Sequence, residues 1–214
     1  MQGAYAVSRS HLMGRVFFGL FLSLLTSVIG LGVGQFVPPL WLHMLWFLDI
    51  AMLFVAMFVR RSKGIGMPFV MVFTFVLGMG LYPTIAFYAS AIGATLVLEA
   101  AAITGASFLV AALVASRSSF DFTFLRGFLF IGLVALVLMG LASLFISFGT
   151  TAALIYTWLG IAIFIGYILF DVNRMVHYGV SEQMVPWMVL SLYLDIVNLF
   201  LFILQLFGIN TSRR

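Results

Sequence analysis

Seven apolar runs follow one another with almost nothing between them, at 16–35, 40–59, 67–88, 91–115, 124–148, 151–175 and 184–207. Each reaches the roughly 20 residues an α-helix needs to cross a hydrocarbon core about 30 Å thick. The runs are continuously apolar and do not alternate with period two, so they predict helices and not barrel strands. Only 7% of the 214 residues are charged and 64% are hydrophobic. An ordinary soluble domain carries about 25% charged residues, and disorder needs the opposite composition. The first run exceeds the length of a signal-peptide core, and no A-x-A site follows it. The expected fold class is an all-α integral membrane protein: one seven-helix transmembrane domain over 1–214, with 1–15 as a short cytoplasmic N-terminal segment.

The cations give this arrangement a direction. Arg9 and Arg15 precede the first run, and Arg60, Arg61 and Lys63 lie between the second and third. Arg117 and Arg126 flank the fourth connection, and Arg174 ends the sixth run. The alternate connections, 36–39, 89–90 and 149–150, contain no Lys or Arg. The positive-inside rule therefore predicts a cytoplasmic N-terminus. Arg213 and Arg214 do not fit, since seven crossings leave them outside; either the tail tolerates this or the last run does not fully cross. The net charge of +4 forms no basic face with interleaved aromatics, so nucleic acid is not an expected partner. With no cysteine in the chain, thiolate metal sites, thiol redox chemistry and Cys nucleophiles are excluded. Three small-residue pairs, Gly30-x-x-x-Gly34, Ala101-x-x-x-Gly105 and Ala111-x-x-x-Ala115, are expected to let helices approach closely. His43 and His177 fall at opposite membrane edges, in no metal-binding spacing.

The acids carry most of the functional information. Asp121 and Glu182 fall in polar connections, but Asp49, Glu99, Asp171 and Asp195 lie within apolar runs. An acid near the bilayer centre costs about 2.5–3.5 kcal/mol on insertion scales, so it marks a functional site or a hydrogen-bonded contact between helices. Gly179 suits the end of the sixth helix and Pro186 the first turn of the seventh. Asp171 is then about 10 Å from its helix end and Asp195 about 13 Å from its own. Two antiparallel neighbours can bring these carboxylates to one level, where the pair would share a proton and titrate as a unit; alternatively each faces a different neighbour. Asp49 and Glu99 lie at mid-depth or in the outer half and could extend a polar track. Carboxylate oxygens are hard ligands suited to Ca²⁺. Arg60 and Arg61 end the second run on the dyad's side. They either snorkel to the interface or turn one guanidinium inward to pair with the dyad.

These same residues resemble a known family. The stretch LSLYLDIVNLFLFILQLFG at 190–208 is similar to the last helix of the transmembrane Bax-inhibitor-motif family, and YILFDVNRMVH at 167–177 to the end of its sixth. GQFVPP at 34–39, the mid-helix Asp49, RRSKGIG at 60–66, YASAIGA at 88–94 and VLEA at 97–100 extend the likeness over nearly the whole chain, most closely to the bacterial branch. The resemblance implies a seven-helix bundle with the last helix central, acting without catalysis as a pH-sensitive Ca²⁺ leak channel in a bacterial cytoplasmic membrane. It implies that Asp171 and Asp195 are a di-aspartyl pH sensor and that Arg60 latches the pair; the embedded acids read above add Asp171 and Asp195 as candidate Ca²⁺ ligands and Asp49 and Glu99 as candidates for the ion pathway. Ca²⁺ is then the transported ion, with no cofactor, and protons and membrane lipid are the other partners. The family carries Glu where this chain has Asp49.

Other classes compete. Intramembrane aspartyl proteases also place one Asp on each of two consecutive helices, but their G-x-G-D is replaced here by Leu192-Tyr193-Leu194-Asp195, and a Pro-Ala-Leu motif is missing. A proton-coupled cation transporter would use the same titrating acids, yet no inverted repeat is visible. A non-conducting stress regulator has no distinguishing sequence mark. The topology is directly testable: cysteines placed at Ser62 and Thr150 are expected to react with a membrane-impermeant reagent from opposite faces. Labelling of both from one face would overturn the arrangement.

Overall fold

The computed structural model describes residues 2–60, 65–143, 145–147 and 149–211, without the side chains of 2–10, 39, 43, 46, 49 and 56–60. Its helices are α1 (Gln2–Gly34), α2 (Pro39–Arg60), α3 (Met67–Ile92), α4 (Ala94–Arg117), α5 (Leu125–Ala142), α6 (Thr150–Tyr178) and α7 (Val185–Thr211), with single 3₁₀ turns at Phe122–Phe124 and Glu182–Met184. No strand occurs among the described residues. The described residues form six helices long and apolar enough to cross a membrane, all of the above except α2. The α2 sequence is itself apolar, with Asp49 its single charge before Arg60. The expected all-α membrane fold is therefore present.

Three boundaries differ from expectation. Helix α1 begins at Gln2, so the N-terminal segment 1–15 is largely a helical extension of the first span. Helix α3 continues through 89–90 and stops at Gly93, which alone separates it from α4. Gly93 has φ +93°, a conformation an L side chain rarely adopts. Helix α5 ends at Ala142, six residues before the apolar run does. There the Ser143 hydroxyl donates back to the Gly140 carbonyl (2.6 Å) and Phe145 N–H turns to the Ala142 carbonyl (3.0 Å), the local competition that serine offers to helix continuation. The revised connections 35–38, 93 and 143–149 still contain no Lys or Arg. At the opposite ends Gly179, at φ +77°, stops α6 as expected, and Pro186 occupies the first turn of α7.

The chain divides into two compact units, and α7 contributes its first half to one and its second half to the other. The first unit runs through Phe87 and includes Gly179–Tyr193. In it α1 and α3 touch through their backbones. A Cβ on Gly30 would lie 2.1 Å from the Phe75 carbonyl oxygen, and one on Gly78 would lie 2.1 Å from that of Ser27. One turn on, Gly34 lies against the carbonyl of Met79, where an added Cβ would be 2.7 Å away. Pro83, inside α3, has no N–H to give that carbonyl its usual helical partner. The Gly30–Gly34 pair thus does what its spacing suggests. Beside this contact Tyr193 of α7 is fully buried, and its hydroxyl donates to Ser27 Oγ at 2.8 Å. Thr26 and Thr74 hydroxyls meet at 2.7 Å.

The second unit comprises Tyr88–Tyr178 and the chain from Leu194 onward. Helices α4 and α5 both pack along α6. Ala111 and Ala115 are buried there, whereas Ala101 and Gly105 are exposed and Gly105 has open space around it. The Ala101–Gly105 pair is therefore not a helix contact. Gly160 is covered by the ring of Phe202, which stacks on Phe164 and meets Tyr156 edge-on. Helix α7 is the most buried of the six candidate spans among the described residues. Gly30→Ala and Gly78→Ala must push α1 from α3 and should each cost about 1–3 kcal/mol, read as a lower Tm in detergent. Gly32→Ala meets nothing within 4 Å and should leave Tm unchanged or raised.

Candidate functional site

Asp171 and Asp195 belong to the same unit, and each is only 6% exposed. Apolar neighbours surround them along their own helices: Ile168, Val172 and Met175 on α6, and Leu192, Ile196 and Leu199 on α7, all buried. The two carboxyl groups are close enough for the charge on Asp171 to act on Asp195. Both also act on the phenol of Tyr167, one helical turn before Asp171. Of the two arrangements open from the sequence, this influence is in keeping with the facing pair. Asp195 Oδ2 is fully buried and has no hydrogen-bond partner, the one such side-chain atom among the described residues. A bare buried carboxylate oxygen is costly, whereas the acid form removes the charge and supplies a donor.

The other expected site residues have different settings. Glu99 is exposed on α4, five residues or about 8 Å from the helix start. Asp49 and Arg60 lie on α2, Arg60 as its last residue, and their side chains lie outside the described residues, as does Arg61. Among the described residues no group of three or more His, Cys, Asp or Glu is gathered to hold a metal ion. Two carboxylates fall well short of the six to eight oxygens of a tight Ca²⁺ site. In the other unit Arg15 pairs with Glu182 at 2.5 Å. This contact puts the α6–α7 connection at the same end as the basic start of the first apolar run.

Two residues past Asp171, the side chain of Asn173 makes a connection that the sequence reading missed. Fully buried, it donates to the carbonyls of Ala115 (3.2 Å) and Phe120 (3.0 Å) and accepts from Phe122 N–H (2.9 Å). It thereby ties the whole α4–α5 connection to the helix that carries Asp171. Asp121 adds a second tie, accepting from the Tyr178 hydroxyl and from Thr123 N–H. These bonds hold the exposed Asp121 carboxyl below its ordinary range, the Tyr178 hydroxyl first and the Thr123 N–H next. The sequence signal was a lone Asn among apolar residues in a spanning helix, which needs internal partners wherever it points.

Residues 9–212 match the family model described as inhibitor of apoptosis-promoting Bax1. The chain belongs to the Bax inhibitor family. Among its relatives is a Vibrio cholerae membrane protein, 30% identical over 208 residues that cover 95% of this chain and 91% of the relative. Bax inhibitor 1 of Schizosaccharomyces pombe is 32% identical over 79% of this chain and 62% of its own length. Protein LIFEGUARD 4 of Arabidopsis thaliana is 36% identical over 64% of this chain and 54% of its own. The chain thus spans nearly all of the bacterial relative and little more than half of the two eukaryotic ones.

For this Bax inhibitor family member the clasp at Asn173 can be tested by stability. Asn173→Leu strands two carbonyls and an N–H and should cost on the order of 3 kcal/mol. Asn198→Leu gives up only a bond to the Leu194 carbonyl in its own helix and should cost much less; equal Tm values would contradict the clasp. For Asp121 the pKa lies lower folded than unfolded, so its contribution is present above about pH 4 and is lost as pH falls through the folded value. Tyr178→Phe should return the Asp121 titration, followed by carboxyl ¹³C NMR, toward about 3.9.

Proposed function

We propose that this Bax inhibitor family member is a non-enzymatic conduit that lets Ca²⁺ leak down its gradient, with Asp171 and Asp195 as the proton sensor that sets its opening. The observation that carries the proposal is the buried acid pair on neighbouring helices, with Asp195 Oδ2 left without a donor. A structural pair would be expected to satisfy both of its oxygens. A pair that gains and loses a proton is served by a position where the proton, and no protein group, completes the bonding. The resemblance of 167–177 and 190–208 to the family's sixth and seventh helices supports the same roles. The cation distribution supports a cytoplasmic N-terminus, with the dyad toward the cytoplasmic side.

Two effects of acid oppose one another in this scheme. Protonation neutralises the pair and loosens its attraction for Arg60, which favours opening. It also removes carboxylate charge that attracts Ca²⁺, which weakens entry. The flux should therefore depend on pH, with loosening of the Arg60 latch favouring opening in acid. The weak ligand set suits transit, since an ion that must leave cannot be bound by a full cage.

Uptake of ⁴⁵Ca²⁺ by liposomes holding only this protein is the decisive assay. Flux without another energy source is expected; flux that needs an imposed proton gradient would favour a proton-coupled transporter, and no flux would remove the proposal. Asp171→Asn and Asp195→Asn should each flatten the pH response between about pH 6 and 8, because either change ends proton sharing. Arg60→Ala should shift the open fraction and Arg61→Ala should not; equal small effects would mean that both simply reach the interface. Asp49→Asn or Glu99→Gln should alter flux or Ca²⁺ affinity if that acid lies on the path. Unchanged flux in both would confine the ion site to the dyad.

A further inference from the structure

On the second unit, a groove of about 450 Å³ lies between α4 and α6. Its origin is compositional. Small residues, Ala106, Ser107 and Ala111, line it where larger side chains would fill the space. Ile103, Val110 and Ile165 stand beside them, and Ile103 and Val110 are 43% and 62% exposed. The lining of α4 runs from Ile103 to Val114, eleven residues or about 17 Å. One leaflet contributes about 15 Å, half of the ~30 Å hydrocarbon core. The groove therefore has the length and polarity of one lipid chain in one leaflet.

A charge stands at one end of it. Counting on from Val110 by seven and from Val114 by three reaches Arg117, so the same stripe of α4 ends in a guanidinium. Arg117 is exposed on the last turn of α4. The ion pair among the described residues is Arg15–Glu182, and Arg117 has no carboxylate partner there. The helix C-terminus favours a cation in this position, but that uses none of the guanidinium's five donors. They form the planar fork that matches a phosphate.

We propose that the α4–α6 groove is a binding site for an anionic phospholipid, with one acyl chain along Ala106, Ser107 and Ala111 and the headgroup phosphate on Arg117. The site is independent of the channel proposal. It would lie in the leaflet that contains the basic connections, where anionic headgroups and cations meet.

Native mass spectrometry of the full chain in detergent tests it, with phosphatidylglycerol and phosphatidylcholine of identical acyl chains as probes. The wild type should retain phosphatidylglycerol about tenfold better than phosphatidylcholine, as one charge-assisted contact allows. Arg117→Gln should bring the two lipids to the same level. Ala106→Phe, at an exposed position, should fill the groove and lower retention of both. Leu109→Phe, an exposed α4 residue outside the lining, should change neither. Equal retention of the two lipids by the wild type, or phosphatidylglycerol retention indifferent to both Arg117→Gln and Ala106→Phe, would overturn the proposal. A dimer mass that Ala106→Phe abolishes would overturn it too, by showing that a second copy covers the groove.

Discussion

Hydrocarbon cannot hydrogen-bond, so every polar group within a spanning helix must find its partner inside the protein. Several of the described polar side chains obey that constraint in the simplest way. The hydroxyls of Ser23, Thr104 and Thr157 donate to the carbonyl four residues back in their own helices. Tyr193 reaches further, to Ser27 on α1, and Asn173 further still, to three backbone groups of a connection 51 to 58 residues away. Asp195 Oδ2 stands out against this pattern as the fully buried side-chain oxygen without a partner among the described residues. Its isolation is informative because its neighbours are so consistently satisfied.

The same constraint connects the site to the fold. Asp171 sits two residues before Asn173 on α6 and one turn after Tyr167. The three bonds of Asn173 leave that end of α6 little freedom to rotate, so they also fix the direction in which Asp171 points. At the other end of the unit Gly160 lets the ring of Phe202 press against α6. Helix α6 is thus held on both sides of Asp171. The Bax inhibitor family membership follows from the sequence over residues 9–212; the bracing of the acid pair is a property of the packing.

Much of the architecture was legible because membrane helices are written in long apolar runs with cations at their ends. Gly179 and Pro186 marked the α6–α7 turn correctly, because each has a backbone preference that does not depend on distant partners. The depth count that sets Asp171 and Asp195 at one level draws on a related regularity: helix rise is constant. Local competition was harder to read. Helix α5 stops at Ala142 although the apolar run continues, because Ser143 bonds back into the last turn, and Gly93 interrupts a stretch that hydropathy alone would divide at 89–90. Long-range partners were not readable at all. Nothing in the spacing of Asn173 or Tyr193 names the loop or helix each bonds to. The exposure of Glu99 likewise depends on which face of α4 meets α6, and Ala-rich α4 has no strong apolar stripe to declare it.

The proposed function requires that Asp171 and Asp195 hold one proton between them. Infrared difference spectroscopy of the protein in lipid bilayers, titrated through neutral pH, reports protonated carboxyl groups directly through their C=O stretch. A protonated-carboxyl band should be present at neutral pH, disappear as the pH rises, and change its pH dependence in both Asp171→Asn and Asp195→Asn, since each variant removes one member of the pair. A spectrum with no protonated carboxyl near neutral pH, or a band whose pH dependence is unchanged in both variants, would contradict it.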